Sequence, residues 1–192
     1  MQFDKAKTFI LKKLKSELPS RFTYHCFDHT TDVYNAAKMI GAAEHSGPYE
    51  MKLLLTAALY HDSGFVDGSA EHEAKSCEIA RRCLPGFDYT SKDIEKVCGM
   101  IMATRLPQSP QNLPEQILCD ADLDYLGRDD FFPISDLLFE EFKMMGIVAN
   151  ERDWNIIQVK FFENHHYFTR SSQKLRNEKK QQNLDAIKSK IN

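Results

Sequence analysis

The sequence predicts an all-α protein of roughly eight or nine helices. Three observations carry that expectation. Apolar residues recur at intervals of three and four in nearly every segment. No run alternates polar and apolar for the length of a strand. Pro19, Gly47-Pro48, Gly64, Pro85 and the Pro-rich stretch Leu106 to Pro114 punctuate the periodic segments.

Phe3, Phe9, Ile10, Leu14 and Leu18 trace one face of a first helix, which Pro19 ends. A second is expected from about Asp28 to Glu44, with Val33, Ala36, Ala37 and Ile40 inward and Gly47-Pro48 as the break. Met51 to His61 is almost wholly apolar and reads as a central helix buried on most sides, with Gly64 as a stop. Ser69 is a good N-cap for a helix carrying Ala74, Ile79 and Ala80 to Pro85. Thr90 or Ser91 is placed to cap the next, through Ile94, Val97 and Ile101. The Pro-rich stretch Leu106 to Pro114 is expected as a loop, followed by a helix from Glu115 to Leu126. Ile134 to Met145, Asp153 to Tyr167 and a polar tail from Ser171 to Ile191 complete the set.

Composition narrows the function classes. Of 192 residues, 42% are apolar and 28% charged, an ordinary globular balance, and the net charge of −3 gives no global attraction for nucleic acid or membrane. A local basic patch able to bind phosphate remains compatible with it. The five cysteines, Cys26, Cys77, Cys83, Cys98 and Cys119, are odd in number and lack CxxC spacing, which argues against a disulfide framework or a thiolate zinc site and for a reduced, cytoplasmic protein. The first eighteen residues lack the apolar run of a signal peptide, and Met51 to Tyr60 is too short to span a bilayer.

The histidines and acids carry the chemistry. His61-Asp62 closes the most apolar helix of the chain. Burying those two polar groups costs several kcal/mol unless they are compensated, which a divalent cation would do. A lone His-Asp dipeptide is more often a buried hydrogen bond that orients a helix end. In "CDADLDYLG", Asp120, Asp122 and Asp124 cannot share one helix face, because steps of two rotate by about 200°. Asp122, four residues from both Leu118 and Leu126, is the acid expected to point inward. Asp120 and Asp124 are expected to face water or cap neighbours; the alternative is a wholly solvated acidic helix. A His on one helix, a His-Asp pair on another and an inward Asp on a third make four N and O ligands, a set suited to a hard or borderline cation and not to a structural zinc.

The ordered set His29, His61-Asp62, Asp122 resembles the HD-domain metal-dependent phosphohydrolase superfamily. The segments "YHCFDHTTDV", "LLLTAALYHDSG", "EHEAKSCEIA" and "ILCDADLDYLG" carry the resemblance over roughly Phe22 to Leu126. It implies an all-helical domain over 1–192, with a metal-site core at about 22–126 and helices at about 133–191 packing on it or capping it. It implies His29, His61, Asp62 and Asp122 as ligands of a divalent ion, whether Mn, Mg, Fe, Co, Ni or Zn, with Asp62 also positioning the attacking water. In some members a His on the following helix helps hold a second cation, which points to His72, with Glu73, for a second ion or the substrate; the alternative is two ordinary first-turn residues favoured by the helix dipole.

"YHCFDH" is also similar to a segment of class I cyclic-nucleotide phosphodiesterases, which implies His25 as a general acid one helical turn before His29. The alternative is a His that precedes the helix and merely caps it. A deoxynucleoside 5′-monophosphatase branch has a Glu three residues after the HD Asp, where this chain has Phe65, and the alarmone hydrolases share only the shorter motif. Arg105, Arg170 and Lys174 are candidate phosphate ligands, the last two sharing a helix face. Tyr125 is a candidate pocket residue, His165 and His166 read as surface or packing residues, and Trp154, Phe161 and Phe162 read as core.

The expected function is hydrolysis of a small phosphate ester, a nucleotide or cyclic nucleotide, by phosphodiester or phosphomonoester cleavage. A metal-stabilised nucleotide sensor that cuts nothing, or a purely structural bundle, are the competitors. No membrane partner is expected, and the sequence leaves the oligomeric state open.

Overall fold

Eight consecutive residues, Leu53 to Tyr60, are buried in the structure, a computed structural model that describes residues 1–68 and 70–191. They belong to α3 (Pro48–Tyr60), whose Pro at the first turn occupies a position with no helical N–H to lose. A helix apolar on every face has to be surrounded. Five helices do so: α1 (Phe3–Glu17), α2 (Phe27–Ala43), α4 (His72–Cys83), α5 (Ser91–Ala103) and α6 (Leu113–Asp122) all touch α3.

The stripes follow the expected periodicity in part. On α1 the buried residues are Ala6, Ile10 and Leu14, while Phe9, expected on the same face, is 39% exposed; on α2 they include Val33, Ala36, Ala37 and Ile40; on α4 Ile79 and Ala80 are buried and Ala74 is exposed. Thr90 and Asp93 start α5 with reciprocal bonds between side chain and backbone, the capping box that frees two helix-end donors from solvent. Each fully buried Leu of this core contributes about 1.5–3 kcal/mol of transfer free energy.

A second apolar cluster lies beside the first. It joins Tyr24, Tyr125, Leu126, Phe131, Phe162, Leu184 and Ile187. These come from the segment before α2, the turn after α6, and α7 (Phe131–Met144), α8 (Glu151–Asn164) and α9 (Arg170–Ile191). Among the described residues there is no strand, and no helix is long and apolar enough to cross a membrane.

Several boundaries differ from expectation, each for a local reason. α6 begins at Leu113 because Asn112 accepts the Glu115 N–H, so Pro114 sits inside the first turn instead of in the loop. It ends at Asp122, where a 3-10 turn, Asp124–Gly127, replaces the helix expected to reach Leu126. Ser69, expected as a cap, lies outside the described residues. α4 opens after Glu71, which takes a left-handed φ of 53°.

Two glycines mark close approaches. A Cβ on Gly64 would stand 2.1 Å from the His72 carbonyl oxygen, so the 3-10 turn Ser63–Asp67 lies directly on the start of α4. A Cβ on Gly127 would stand 2.6 Å from the Arg176 carbonyl oxygen, where α9 crosses the turn after α6.

Candidate metal centre

His29 is the third residue of α2, His61 follows the last residue of α3, and Asp122 is the last residue of α6. Three helix ends therefore converge on one point, with Asp62 leaving α3 beside it. His29 Nε2 lies 3.4 Å from Asp62 Oδ2 and 3.3 Å from Asp122 Oδ1. His61 Nε2 lies 3.2 Å from Asp62 Oδ2 and 3.5 Å from Asp122 Oδ1. Two nitrogens and two oxygens thus form a closed ring of contacts.

Those separations are long for hydrogen bonds, and neither buried Nε2 has a hydrogen-bond partner. They are the separations of atoms sharing one ion: ligands about 2.1 Å from a common centre stand about 3.0–3.4 Å apart at right or tetrahedral angles. His61 is oriented for that task. Its Nδ1 is 2.9 Å from the Ala58 carbonyl, so Nδ1 carries the proton and Nε2 presents a lone pair. His29, His61 and Asp122 form a group able to hold a metal, and with Asp62 the donor set is two imidazoles and two carboxylates. The set fits a divalent cation.

Electrostatics agree. Burial alone would lower both imidazoles, but Asp62 and Asp122 raise His29, and raise His61 well above the ordinary range. Burial alone would raise both acids, but His61 and His29 hold Asp62 well below the ordinary range and bring Asp122 to about 2. Without an ion, the two carboxylates favour protons on the two rings.

Asp62 also faces the other way. Its Oδ1 is 3.4 Å from His72 Nε2, which is 3.5 Å from Glu73 Oε1. Gly64 permits this, since a side chain there would push the start of α4 aside. Burial lowers the His72 imidazole and Asp62 raises it, with a net rise. Phe65 fills the space between two candidate residues, its ring 4.2 Å from that of His25 and 4.3 Å from that of His72.

His25 precedes α2, so the helical i, i+4 pairing with His29 does not form. The ring still reaches the site, 6.0 Å from the His29 ring, because Glu141 holds the whole segment. Glu141 Oε2 accepts the backbone N–H groups of Tyr24 and His25 at 3.0 and 3.1 Å. Its Oε1 meets His25 Nδ1 at 2.5 Å. Burial pushes the Glu141 carboxyl up, but these contacts bring it below the ordinary range, so it is ionised and accepts from Nδ1. Sequence reasoning missed Glu141. It stands on α7 beside exposed Glu140, and nothing in "FEEF" separates the buried acid from the solvated one.

Of the two outcomes expected for Asp120 and Asp124, facing water or capping a neighbour, the first does not occur: they are 0% and 2% exposed. Asp120 accepts the Phe168 and Thr169 N–H groups, both at 2.8 Å, and the Thr169 hydroxyl at 2.6 Å. Asp124 receives Arg176 through Nε at 2.7 Å and Nη2 at 2.9 Å. Asp120 and Asp122 share α6 and point apart, as the rotation requires; only Asp124 lies beyond the helix, and all three acids find partners. The outer two bracket Asp122 and tie it to the segment that starts α9 and to α9 itself.

A cavity of about 540 Å³ opens from Asp62 and Asp122 toward α7 and α8. His25, His72, Glu73 and Tyr125 line it, and Arg105 is its one lining cation of the Lys or Arg type among the described residues. Trp154, Phe161 and Phe162, read from sequence as core, also face it. Arg170 and Lys174 do not line it and are exposed. The Ser171 N–H donates to Glu44, which follows the last residue of α2, so Arg170 sits at the far end of that helix from His29.

Comparison with known proteins places this geometry. The model of the HD-domain family matches residues 26–124. No curated protein matches the chain in sequence. Among solved structures it is similar to a predicted HD superfamily hydrolase from an uncultured Thermotogales bacterium, at 18% identity, 96% coverage of this chain, 90% of that one and TM-score 0.66. A protein from Lactobacillus plantarum is similar at 18% identity, coverages of 99% and 98% and TM-score 0.70. Bacillus subtilis YpgQ, solved in complex with ADP, is similar at 19% identity, coverages of 98% and 95% and TM-score 0.67.

Proposed function

Because the chain belongs to the HD-domain family, a superfamily of metal-dependent hydrolases, we propose that it cleaves a small phosphate ester of a nucleotide at the His29, His61, Asp62, Asp122 cluster. The observation that carries the reading is the pair of buried Nε2 atoms that have no hydrogen-bond partner and face two carboxylates at ion-sharing distances. When bound, a divalent ion there supplies positive charge for phosphoryl oxygens and acidity for a water.

The chain's own residues supply the rest. Asp62 divides its oxygens between the His29/His61 pair and His72, which sets it to hold an ion through Oδ2 and orient the attacking water or a second ion through Oδ1, with His72 and Glu73. His25 is the proton donor to the leaving oxygen. Glu141 occupies Nδ1, so Nε2 is the nitrogen that delivers the proton. Arg105 at the cavity rim meets the phosphate. The apolar wall of α7 and α8 keeps bulk water from the reacting group. The ADP held by the similar YpgQ structure supports a nucleotide as the substrate class.

The purified chain, assayed with Mn²⁺ against bis-p-nitrophenyl phosphate and a panel of nucleotides, should release product. Metal bound in stoichiometric amount, with nucleotide-dependent melting shifts and no product from any substrate, would reject catalysis in favour of a sensor.

A further inference from the structure

Two buried thiols take no part in the hydrolytic chemistry. Cys77 lies on α4 and Cys98 on α5, and each is 2% exposed. Each sulfur reaches the other residue's backbone. Cys77 Sγ is 3.6 Å from the Cys98 carbonyl oxygen, and Cys98 Sγ is 3.8 Å from the Cys77 carbonyl oxygen. Such reciprocal contacts bring both side chains into one gap between the helices. A disulfide needs that arrangement: close backbones with the two side chains turned toward one another. Cys119 turns elsewhere, its Sγ 3.2 Å from the Ala103 carbonyl oxygen.

The pair shares its protons unevenly. The Cys77 thiol, and after it Arg81, hold Cys98 below the ordinary thiol range against the effect of burial. Cys98, with burial, pushes Cys77 up. One sulfur is the readier thiolate and its neighbour the proton donor. Solvent is not far. Arg81, four residues after Cys77, and Glu95, three before Cys98, join through two bonds of 2.9 Å, with side chains 50% and 62% exposed. The seam between α4 and α5 therefore meets solvent one helical turn from the thiols, and a small oxidant needs only a local opening to reach them.

We propose that Cys77 and Cys98 are a reversible redox site, which a peroxide closes into a disulfide that ties α4 to α5. The Cys98 thiolate attacks one oxygen of the peroxide, the O–O bond breaks, and the hydroxide released takes up a proton and leaves as water. The Cys77 sulfur then attacks the Cys98 sulfenic acid. An S–S bond forms, the S–O bond breaks, and the hydroxyl leaves with the Cys77 proton as a second water. Two thiols lose two electrons and two protons, and hydrogen peroxide is reduced to two waters. The bond joins the helix that opens with His72 and Glu73 to the helix that runs toward Arg105, and all three residues line the metal-site cavity.

The reduced, Mg²⁺-loaded chain is treated with hydrogen peroxide, its remaining thiols are alkylated, and it is digested without reductant. The Cys77 and Cys98 peptides should appear joined, lighter than their sum by the two hydrogens lost, and should separate again on dithiothreitol. The oxidised protein should melt about 5 °C or more above the reduced one, because the cross-link removes loop entropy from the unfolded chain. Cys77→Ser should show neither the joined peptide nor the melting shift. The proposal is overturned if both thiols are still alkylated after peroxide, if either accumulates as sulfinic acid or pairs with Cys26, Cys83 or Cys119, if the joined form melts no higher than the reduced one, or if Cys77→Ser gains the same shift. The wild-type peptide map and melting curves decide the matter even where the variant fails to fold.

Discussion

The two walls of the cavity are built in different ways. On one, α2, α3 and α6 end together and present imidazoles and carboxylates whose partners are one another. On the other, α7 and α8 present aromatic rings and an acid, Glu141, that reaches across to orient His25. The first wall carries its chemistry in residue identity. The second carries it in placement, since a Phe, Trp or Glu acquires a role there only through what it faces.

Substitutions can break that contrast. The largest effect should come from the first wall: Asp122→Ala should leave hydrolysis at background and remove the ion. In the parent, Mn²⁺ at a hundredfold excess over its Kd should stabilise by about 2.7 kcal/mol. A chelator should abolish that gain, and in Asp122→Ala the melting temperature should not respond to chelator at all. A chelator response that survives in the variant would remove Asp122 from the ligand set.

Next comes the contact between the walls. His25→Asn should lower kcat by about 10²–10⁴ while the protein keeps its metal. Glu141→Gln should fall in the same direction by a smaller factor, about tenfold, and should shift the pH profile of kcat. Loss of metal in either variant would show that the segment serves only to support His29.

A smaller effect should come from behind the first wall. Arg176→Ala removes the bidentate partner of Asp124, leaving it Arg128 at 3.6 Å, without touching a ligand, and metal affinity measured by calorimetry should drop about 10–100-fold. Unchanged affinity would mean that Asp122 is fixed by α6 alone.

The smallest concerns protons. The rings of His29 and His61 titrate above their ordinary 6.5 in the ion-free site, so protons compete with the ion. Metal affinity should therefore be full well above that range and fall as pH drops through the raised values, by about tenfold per pH unit for each proton displaced. An affinity flat from pH 8 to pH 6 would contradict the charge balance.

The helical fold and the first wall were legible in the chain because spacing and residue type are local. Leu53 to Tyr60 declares a central helix, and His29, His61-Asp62 and Asp122 are unusual residues to find at the ends of apolar ones. The second wall was not legible. Trp154 and Phe162 are buried as expected, and only the structure shows that they border a cavity. Gln158 and Glu141 look like solvated helix residues until their partners, 23 and 116 positions away, are known. Only Asp124 departs from the helical rotation, because it lies beyond the helix end at Asp122; Asp120, within the helix, caps the segment that starts α9.

The bracketing of Asp122 has a consequence for biosynthesis. Every candidate ligand has been made once residue 122 emerges, yet the arginine that steadies the last one lies 52 positions beyond Asp124. A nascent chain still short of that arginine holds the full donor set without the clamp, so its hold on an ion should tighten once translation has passed the start of the final helix.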